Sequence, residues 1–170
     1  VPLPAECYES SETPDPCQNF KFSPDGRYLS YTFGEIPCNR TMNIQETATG
    51  RVAYQGQVNG YIPEYVPGDR AFVNVGHCEG GSTLLVDLKT GQTQKAGGYA
   101  FDYEWNKTQT AFLVQVFPHQ GYAGSTFWGY HLQSERLFSG PEINHSMDSP
   151  AVWTPDGTNI LYEHREFTTV

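Results

Sequence analysis

Basic residues and long apolar segments are both scarce in this chain of 170 residues. Ten lysine and arginine residues stand against nineteen aspartate and glutamate residues, which gives a formal net charge of −9 at pH 7. This charge repels nucleic-acid phosphates and anionic lipid, so we expect no nucleic-acid partner. No apolar segment approaches the roughly 20 residues that a membrane-spanning helix needs, so no membrane span is predicted.

The sequence also lacks the common motifs of catalysis and of metal or cofactor binding. It contains no Gly-x-Ser-x-Gly motif, no Cys-x-x-Cys pair and no histidine spacing typical of zinc. The neighbours His77, Cys78 and Glu79 are interpreted as part of a solvated loop, because adjacent residues of an extended chain point to opposite sides. We therefore expect no metal, no cofactor and no catalytic residue, and we do not expect this chain to be an enzyme by itself.

A repeated turn-and-strand pattern is the main positive feature of the sequence. Its clearest copy is Phe22-Ser23-Pro24-Asp25-Gly26, followed by an alternating segment over residues 28–33. A proline with a fixed φ before an Asp-Gly pair is typical of a tight turn. The period of two after the turn predicts a strand.

This pattern occurs four times, each time with an aromatic anchor at its start. The anchors are Phe22, Tyr65, Trp105 and Trp153, and the residues seven positions later are Leu29, Phe72, Phe112 and Ile160. These eight residues are predicted to be core positions of the repeats, and the second-strand residues to be equivalent and buried. Successive anchors are 43, 40 and 48 residues apart, which is typical of four-stranded propeller blades.

The sequence therefore predicts an all-β fold of β-propeller blades, each with four antiparallel strands. Residues 1–17 are predicted to form an extended arm and residues 18–170 the repeats. The blades are expected at about residues 18–58, 61–98, 101–140 and 150–170, the last one partial. About three and a half blades make an incomplete ring. Three alternatives stay open: a fragment of a longer propeller, completion by another copy or a partner, or use of the arm as a replacement strand.

Four cysteines and three glycosylation sequons favour an oxidising compartment. We predict that Cys7 pairs with Cys17 inside the arm, and that Cys38 pairs with Cys78 because these two lie in corresponding loops of neighbouring blades. The acceptor residues of the sequons are Asn39, Asn106 and Asn144, each in an expected loop or turn. Together these features predict a secreted, extracellular or periplasmic glycoprotein.

The turn, the strand after it and the Thr-Gly turns at residues 49–50 and 90–91 resemble the TolB-like propeller repeat, which is related in form to tryptophan-aspartate repeats. The resemblance covers residues 18–164 and is clearest over 22–33 and 153–162. Members of this family act mostly as secreted or periplasmic binding platforms. Others precede hydrolase domains, as in prolyl oligopeptidase-like peptidases.

The resemblance implies a binding module without catalysis of its own. The incomplete ring predicts assembly with another protein or with further copies of the same chain, and the sequons predict glycan. The alternative is the propeller portion of a secreted peptidase or glycosidase whose catalytic residues lie outside this chain. Recognition is expected on connecting loops, above all residues 118–125 and the loop around Cys38, because the strands form a rigid frame.

Overall fold

The structure is a computed structural model that describes residues 7, 17–34, 40–58, 62–77, 80–100, 102–116, 124–125, 127–140, 142–143 and 151–162. The described residues form strands and turns, with no α-helix among them. In the same ranges, no helix has the length and hydropathy to cross a bilayer. The predicted all-β fold of antiparallel, four-stranded sheets is confirmed. The chain divides into two compact units, Val1–Lys95 and Ala96–Val170.

Two four-stranded sheets are formed first along the chain. The strands of the first sheet are β1 (Cys17–Phe22), β2 (Tyr28–Phe33), β3 (Arg40–Glu46) and β4 (Val52–Val58). Those of the second sheet are β5 (Glu64–Val66), β6 (Arg70–His77), β7 (Gly80–Asp87) and β8 (Thr93–Gly98). In both sheets the strands lie side by side in chain order. This meander is the arrangement expected of a propeller blade.

The later strands form a third four-stranded sheet and two small sheets. They are β9 (Glu104–Trp105), β10 (Ala111–Gln115), β11 (Gly124–Ser125), β12 (Phe127–His131), β13 (Arg136–Ser139), β14 (Glu142–Ile143), β15 (Val152–Trp153) and β16 (Ile160–Leu161). The third sheet has the order β9, β10, β12, β13, while β11 pairs with β14 and β15 pairs with β16.

Each unit has its own apolar core. In the first unit, one face of the first sheet packs against one face of the second, and the buried cluster comprises Tyr28, Met42, Ile44, Ala53, Tyr54, Val58, Tyr65, Ala71, Val73, Val86 and Leu88. In the second unit, Leu113 and Phe127 of the third sheet pack with Ala151, and Phe138, Trp153 and Ile160 lie against them. The cores are therefore built from alternate residues of successive sheets, as the period of two requires.

The strand register differs between the second repeat and the others. Phe22 lies opposite Leu29, Trp105 opposite Phe112 and Trp153 opposite Ile160. In the second repeat, however, Tyr65 lies opposite Ala71 and Phe72 lies opposite Glu64. The pairing of anchor and second strand is thus shifted by one residue in this repeat alone.

A shorter turn causes this shift. Val66 pairs with Arg70, so the second turn has three residues, 67–69, whereas the first turn is one residue longer. A shift of one residue moves a side chain to the other face of a sheet. The predicted equivalence of Phe72 with Leu29 is therefore wrong: Ala71 occupies that position, and Phe72 is buried on the opposite face.

The eight predicted core residues differ in burial. Leu29, Tyr65, Phe72 and Phe112 are buried, and Trp105, Trp153 and Ile160 are half-buried. Phe22 is 59% exposed, so its assignment to the core is wrong. It lies at the end of the edge strand β1, and no ring contact to it occurs within the described ranges. Trp105, on the corresponding edge strand, packs edge-on against Phe112 with the ring centroids 5.1 Å apart.

Candidate functional site

The first turn is held by hydrogen bonds between its own side chains. The Ser23 hydroxyl donates to Asp25 Oδ1 at 2.7 Å and accepts the backbone N–H of Tyr28 at 3.0 Å. Arg27 Nε donates to Asp25 Oδ2 at 2.6 Å. The hydrogen bonds from Ser23 and then from Arg27 lower the pKa of Asp25 to about 2. The carboxylate therefore stays charged and orients the Arg27 guanidinium.

The second turn places an aspartate in a conformation that usually favours glycine. Gly68 and Asp69 have φ values of 86° and 59°. The position four residues after the anchor is glycine in the first and fourth repeats, at Gly26 and Gly157. For a residue with a side chain the left-handed conformation costs about 1–2 kcal/mol, although aspartate tolerates it better than most. The Asp69 side chain is nevertheless only 4% exposed.

Asp69 lies between two cations that come from different turns. Arg27 Nη2 of the first turn forms an ion pair with Asp69 Oδ1, and Lys89 Nζ of the turn after β7 is 2.8 Å from Oδ2. The hydrogen bond and the charge of Asp69 raise the pKa of Lys89. Arg27 and Lys89 are 56% and 67% exposed, so the buried carboxylate holds two cations whose outer sides face solvent.

A cavity of about 350 Å³ lies between the first two turns. It is lined by Ser23, Pro24, Asp25, Arg27, Tyr28, Tyr65, Val66, Pro67, Gly68, Asp69, Arg70 and Leu88. We call it the turn cavity. Its volume is at the lower end of the range for small-molecule sites, and its walls combine apolar side chains with a few charged groups, as such sites do. The burial of Tyr65 raises the pKa of its hydroxyl to about 12, so the Tyr65 side chain contributes an uncharged part of the cavity wall at neutral pH.

Large apolar side chains are exposed in the first sheet and in the last. Phe20 and Phe22 on β1 are 49% and 59% exposed. Val152, Leu161 and Tyr162 in the region of the last two-stranded sheet are 42%, 56% and 45% exposed. Exposed apolar groups that lie close together mark surfaces suited to protein contacts.

Part of the predicted covalent chemistry falls on described residues. The structure joins Cys7 to Cys17 by a disulfide with a Cα–Cα distance of 4.9 Å, which is the first of the two predicted pairs. Cys38 and Cys78, the acceptors Asn39 and Asn144, and most of the loop 118–125 lie outside the described residues.

Asn106 has a structural role that conflicts with its predicted glycosylation. Its side chain is buried: Oδ1 accepts the backbone N–H groups of Thr110 and Ala111 at 2.9 and 3.2 Å. Nδ2 donates to the Thr110 hydroxyl at 3.2 Å and to the carbonyl of Gly157 at 3.1 Å. A glycan would replace one of these Nδ2 hydrogens and would need space that the buried site does not provide. The prediction of a glycan on Asn106 in the folded chain is therefore wrong.

No metal centre is formed by the described residues, since no three His, Cys, Asp or Glu side chains converge there. The cluster of Asp69, Arg27 and Lys89 is not predicted by the sequence patterns. One signal for it was present: in the second turn Pro67-Gly68-Asp69, glycine and aspartate are exchanged relative to Pro24-Asp25-Gly26. This exchange is what places a carboxylate at the left-handed position.

Comparison with solved structures finds similarity to propeller proteins. TolB from Acinetobacter baumannii is 17% identical with a TM-score of 0.46, and the match covers 88% of this chain and 38% of TolB. The β-propeller domain of the Trilobed protease from Pyrococcus furiosus is 19% identical with a TM-score of 0.46, covering 85% of this chain and 48% of that domain. The acylaminoacyl peptidase from Pyrococcus horikoshii is 15% identical with a TM-score of 0.48, covering 88% and 28%.

The chain thus spans less than half the length of these structures. Comparisons with protein-family models and with curated proteins give no match. TolB, whose repeat the sequence pattern resembles, is thus among the similar solved structures.

Proposed function

We propose that this chain is an extracellular or periplasmic binding and assembly module, and that it associates with further copies of itself. The observation that carries the proposal is the position of its exposed apolar residues. Phe22 of the first sheet and Leu161 of the last are more than half exposed, at 59% and 56%. Burial of such side chains is a main driving force of protein association.

Both units follow the same rule of sheet packing. In each unit, two successive sheets pack face to face. The later sheet contributes the face that carries the residue paired with its aromatic anchor. The earlier sheet contributes the face opposite to the residue paired with its own anchor. In the first unit this is the Ala71 face against the Tyr28 face, and in the second unit it is the Ile160 face against the Leu113 face. Repeat proteins bury their faces by stacking neighbours in this way.

The same rule identifies which surfaces would receive a further sheet. On the first sheet it is the face of Phe22, on which Phe22 and Val52 are exposed while Leu29 and Tyr31 are buried. On the last sheet it is the face of Val152 and Leu161, which lie opposite each other in register. These two surfaces belong to different sheets, so contacts between copies that join one surface to the other would be head-to-tail. Association of this kind closes a ring if the rotation permits and otherwise extends.

The experiment uses one blocking substitution on each surface. Phe22→Asp and Leu161→Asp should each give monomers in sedimentation velocity at concentrations where the unaltered chain associates. Mixed in equal amounts they should form a discrete dimer, because each variant retains the surface that the other has lost. Ile62→Asp is the matched control, since Ile62 is 50% exposed before β5, outside the strands of the first and last sheets, and its substitution adds the same charge.

Other outcomes would contradict the proposal. A stable 19.0 kDa monomer of the unaltered chain at every concentration would remove the assembly argument. Equal association in all three variants would show that these surfaces are not used. A mixture that stays monomeric would exclude the head-to-tail arrangement.

The turn cavity supports the binding part of the proposal, because it combines apolar walls with Arg27 and Asp69 at one end of the first unit. The alternative, the propeller portion of a secreted peptidase or glycosidase, places the chemistry in another domain. A coding sequence in which a Gly-x-Ser-x-Gly domain continues this chain would favour that alternative. Secretion and glycan on Asn39 and Asn144 are tested by the intact mass before and after glycosidase treatment.

A further inference from the structure

Arg40 is a buried cation whose hydrogen-bond partners are neutral. It is the first residue of β3 and is 6% exposed. Its Nη2 donates to Gln18 Oε1 at 2.7 Å and its Nη1 donates to the Thr32 hydroxyl at 3.3 Å. No carboxylate of the described ranges forms an ion pair with it.

The more exposed cations of the same unit, in contrast, have charged partners. Lys21, Arg27 and Lys89, whose side chains are 33%, 56% and 67% exposed, each form an ion pair with a carboxylate. Counter-charges are thus provided where solvent already stabilises the cation. A buried charge without a counter-charge is far more costly. Among the described residues, Arg40 therefore lacks the counter-charge that a buried cation requires.

The neighbouring oxygen atoms cannot supply the missing charge. The Thr32 hydroxyl accepts Asn19 Nδ2 at 3.0 Å as well as Arg40 Nη1, and it donates its own hydrogen to the carbonyl of Gln18 at 3.3 Å. Its oxygen already receives two donors. A guanidinium has five N–H groups, and two of those of Arg40 are used in these contacts. The remaining donors can still bind an anion.

We propose that Arg40 forms a carboxylate-binding site at the end of the first sheet where β1 begins, and that a small carboxylate is its ligand. The planar guanidinium fork matches the two oxygens of a carboxylate. One cation calls for a monoanion, because a dianion would bring excess charge to a chain that already carries −9. The disulfide of Cys17 lies next to Gln18 in the sequence and ties down this end of β1.

The first test supplies the missing carboxylate within the chain. Gln18→Glu replaces Oε1, which is 2.7 Å from Arg40 Nη2, by a charged oxygen of nearly the same shape. A hydrogen bond between charged partners should raise the thermal midpoint by about 4 °C. Gln55→Glu is the matched control, since it adds the same charge at an exposed position on β4 of the same sheet.

The second test uses acetate as the probe. Sodium chloride is replaced stepwise by sodium acetate at constant ionic strength, while the Arg40 Nε–Hε resonance and the thermal midpoint are followed. For the unaltered chain and for Gln55→Glu, the resonance should shift with a saturating dependence and the midpoint should rise by about 2 °C or more. In Gln18→Glu both responses should be lost, because the introduced carboxylate occupies the site. Arg40→Met should also lose the midpoint response.

Three results would overturn the proposal. One is a Gln18→Glu chain that is no more stable than Gln55→Glu. Another is an equal acetate response in both variants, which would show a general salt effect. The third is an Arg40 resonance that does not titrate. If Arg40→Met does not fold, the comparison of the two glutamate variants still decides between these outcomes.

Discussion

The second and third turns depart from the Pro-Asp-Gly pattern in the same way, but with different results. Each has a residue other than glycine at positive φ four positions after the anchor: Asp69 at 59° and Gln109 at 55°. The Asp69 side chain is buried between Arg27 and Lys89. Gln109 is exposed, and no side-chain contact to it occurs in the described ranges.

This difference separates a departure whose side chain forms ion pairs within the fold from one whose side chain forms no contact among the described residues. In the second turn, the cost of the left-handed conformation is offset by two ion pairs: Arg27–Asp69 links the turns of neighbouring repeats, and Lys89–Asp69 lies within the second repeat. In the third turn no ion pair or side-chain hydrogen bond of Gln109 occurs among the described residues, and the loop is held instead by Asn106, whose side chain accepts two backbone N–H groups. A residue at positive φ whose side chain forms ion pairs, such as Asp69, tells more about the role of its turn than an exposed residue such as Gln109.

The largest effect is expected for Asp69→Asn. Asparagine tolerates positive φ, so the turn is kept while the charge is removed. Arg27 and Lys89 then lie close together without a carboxylate between them. We expect a loss of about 2 kcal/mol in the free energy of unfolding, reduced from the value for a fully buried pair because both cations are partly solvated.

Urea unfolding of Asp69→Asn at low and at high salt measures this loss. Asp69→Gly is the second variant: it removes the strain as well as the ion pairs, so it should lose only about 1 kcal/mol. A loss smaller than about 0.5 kcal/mol in Asp69→Asn would mean that the cluster contributes no more than an ordinary surface charge.

A smaller effect of opposite sign is expected for Gln109→Gly. Glycine adopts positive φ without steric cost, and no contact of the Gln109 side chain with another described residue would be lost. The free energy of unfolding should rise by up to about 1 kcal/mol, less the entropy that glycine adds to the unfolded chain. Urea unfolding checks the sign. Destabilisation by Gln109→Gly would break the comparison, since both turns would then depend on their side chains.

These turns also show how far the sequence could predict the structure. The alternating strands and the recurring anchors predicted four-stranded antiparallel sheets, because period and spacing depend on local residue patterns. The shift of Phe72 by one residue was not predicted, because the register depends on the length of the second turn. Pro67-Gly68-Asp69 contains the same residue types as Pro24-Asp25-Gly26 in another order, so the sequence does not show that this turn is shorter. The exposure of Phe22 was missed because burial depends on neighbouring sheets.

The candidate sites depend even more on tertiary contacts. Asp69 and Lys89 are far apart in sequence, and Arg40 is unusual only because it is buried with no carboxylate partner in the part of the chain that the structure describes. Asn106 matches the sequon pattern perfectly, yet it uses both Nδ2 hydrogens within the fold. None of these features has a sequence signal beyond the exchanged Gly68 and Asp69.

The smallest effect concerns pH and the first turn, which keeps the motif that the second turn has changed. Hydrogen bonds from Ser23 and Arg27 lower the pKa of Asp25 from 3.8 to about 2. A carboxyl whose pKa is lower in the folded chain stabilises the fold above its unfolded pKa, and this stabilisation is lost as the pH falls from about 4 to about 2. Asp25→Asn should therefore make the fall in stability over this range less steep, by at most about one proton. Urea midpoints between pH 5 and pH 2 measure the slope, and Asp156→Asn provides the comparison in the fourth repeat, where a hydrogen bond from Thr154 lowers the pKa of Asp156. Identical slopes in Asp25→Asn and the unaltered chain would show that the first turn owes its order to Pro24 and Gly26 rather than to its charge.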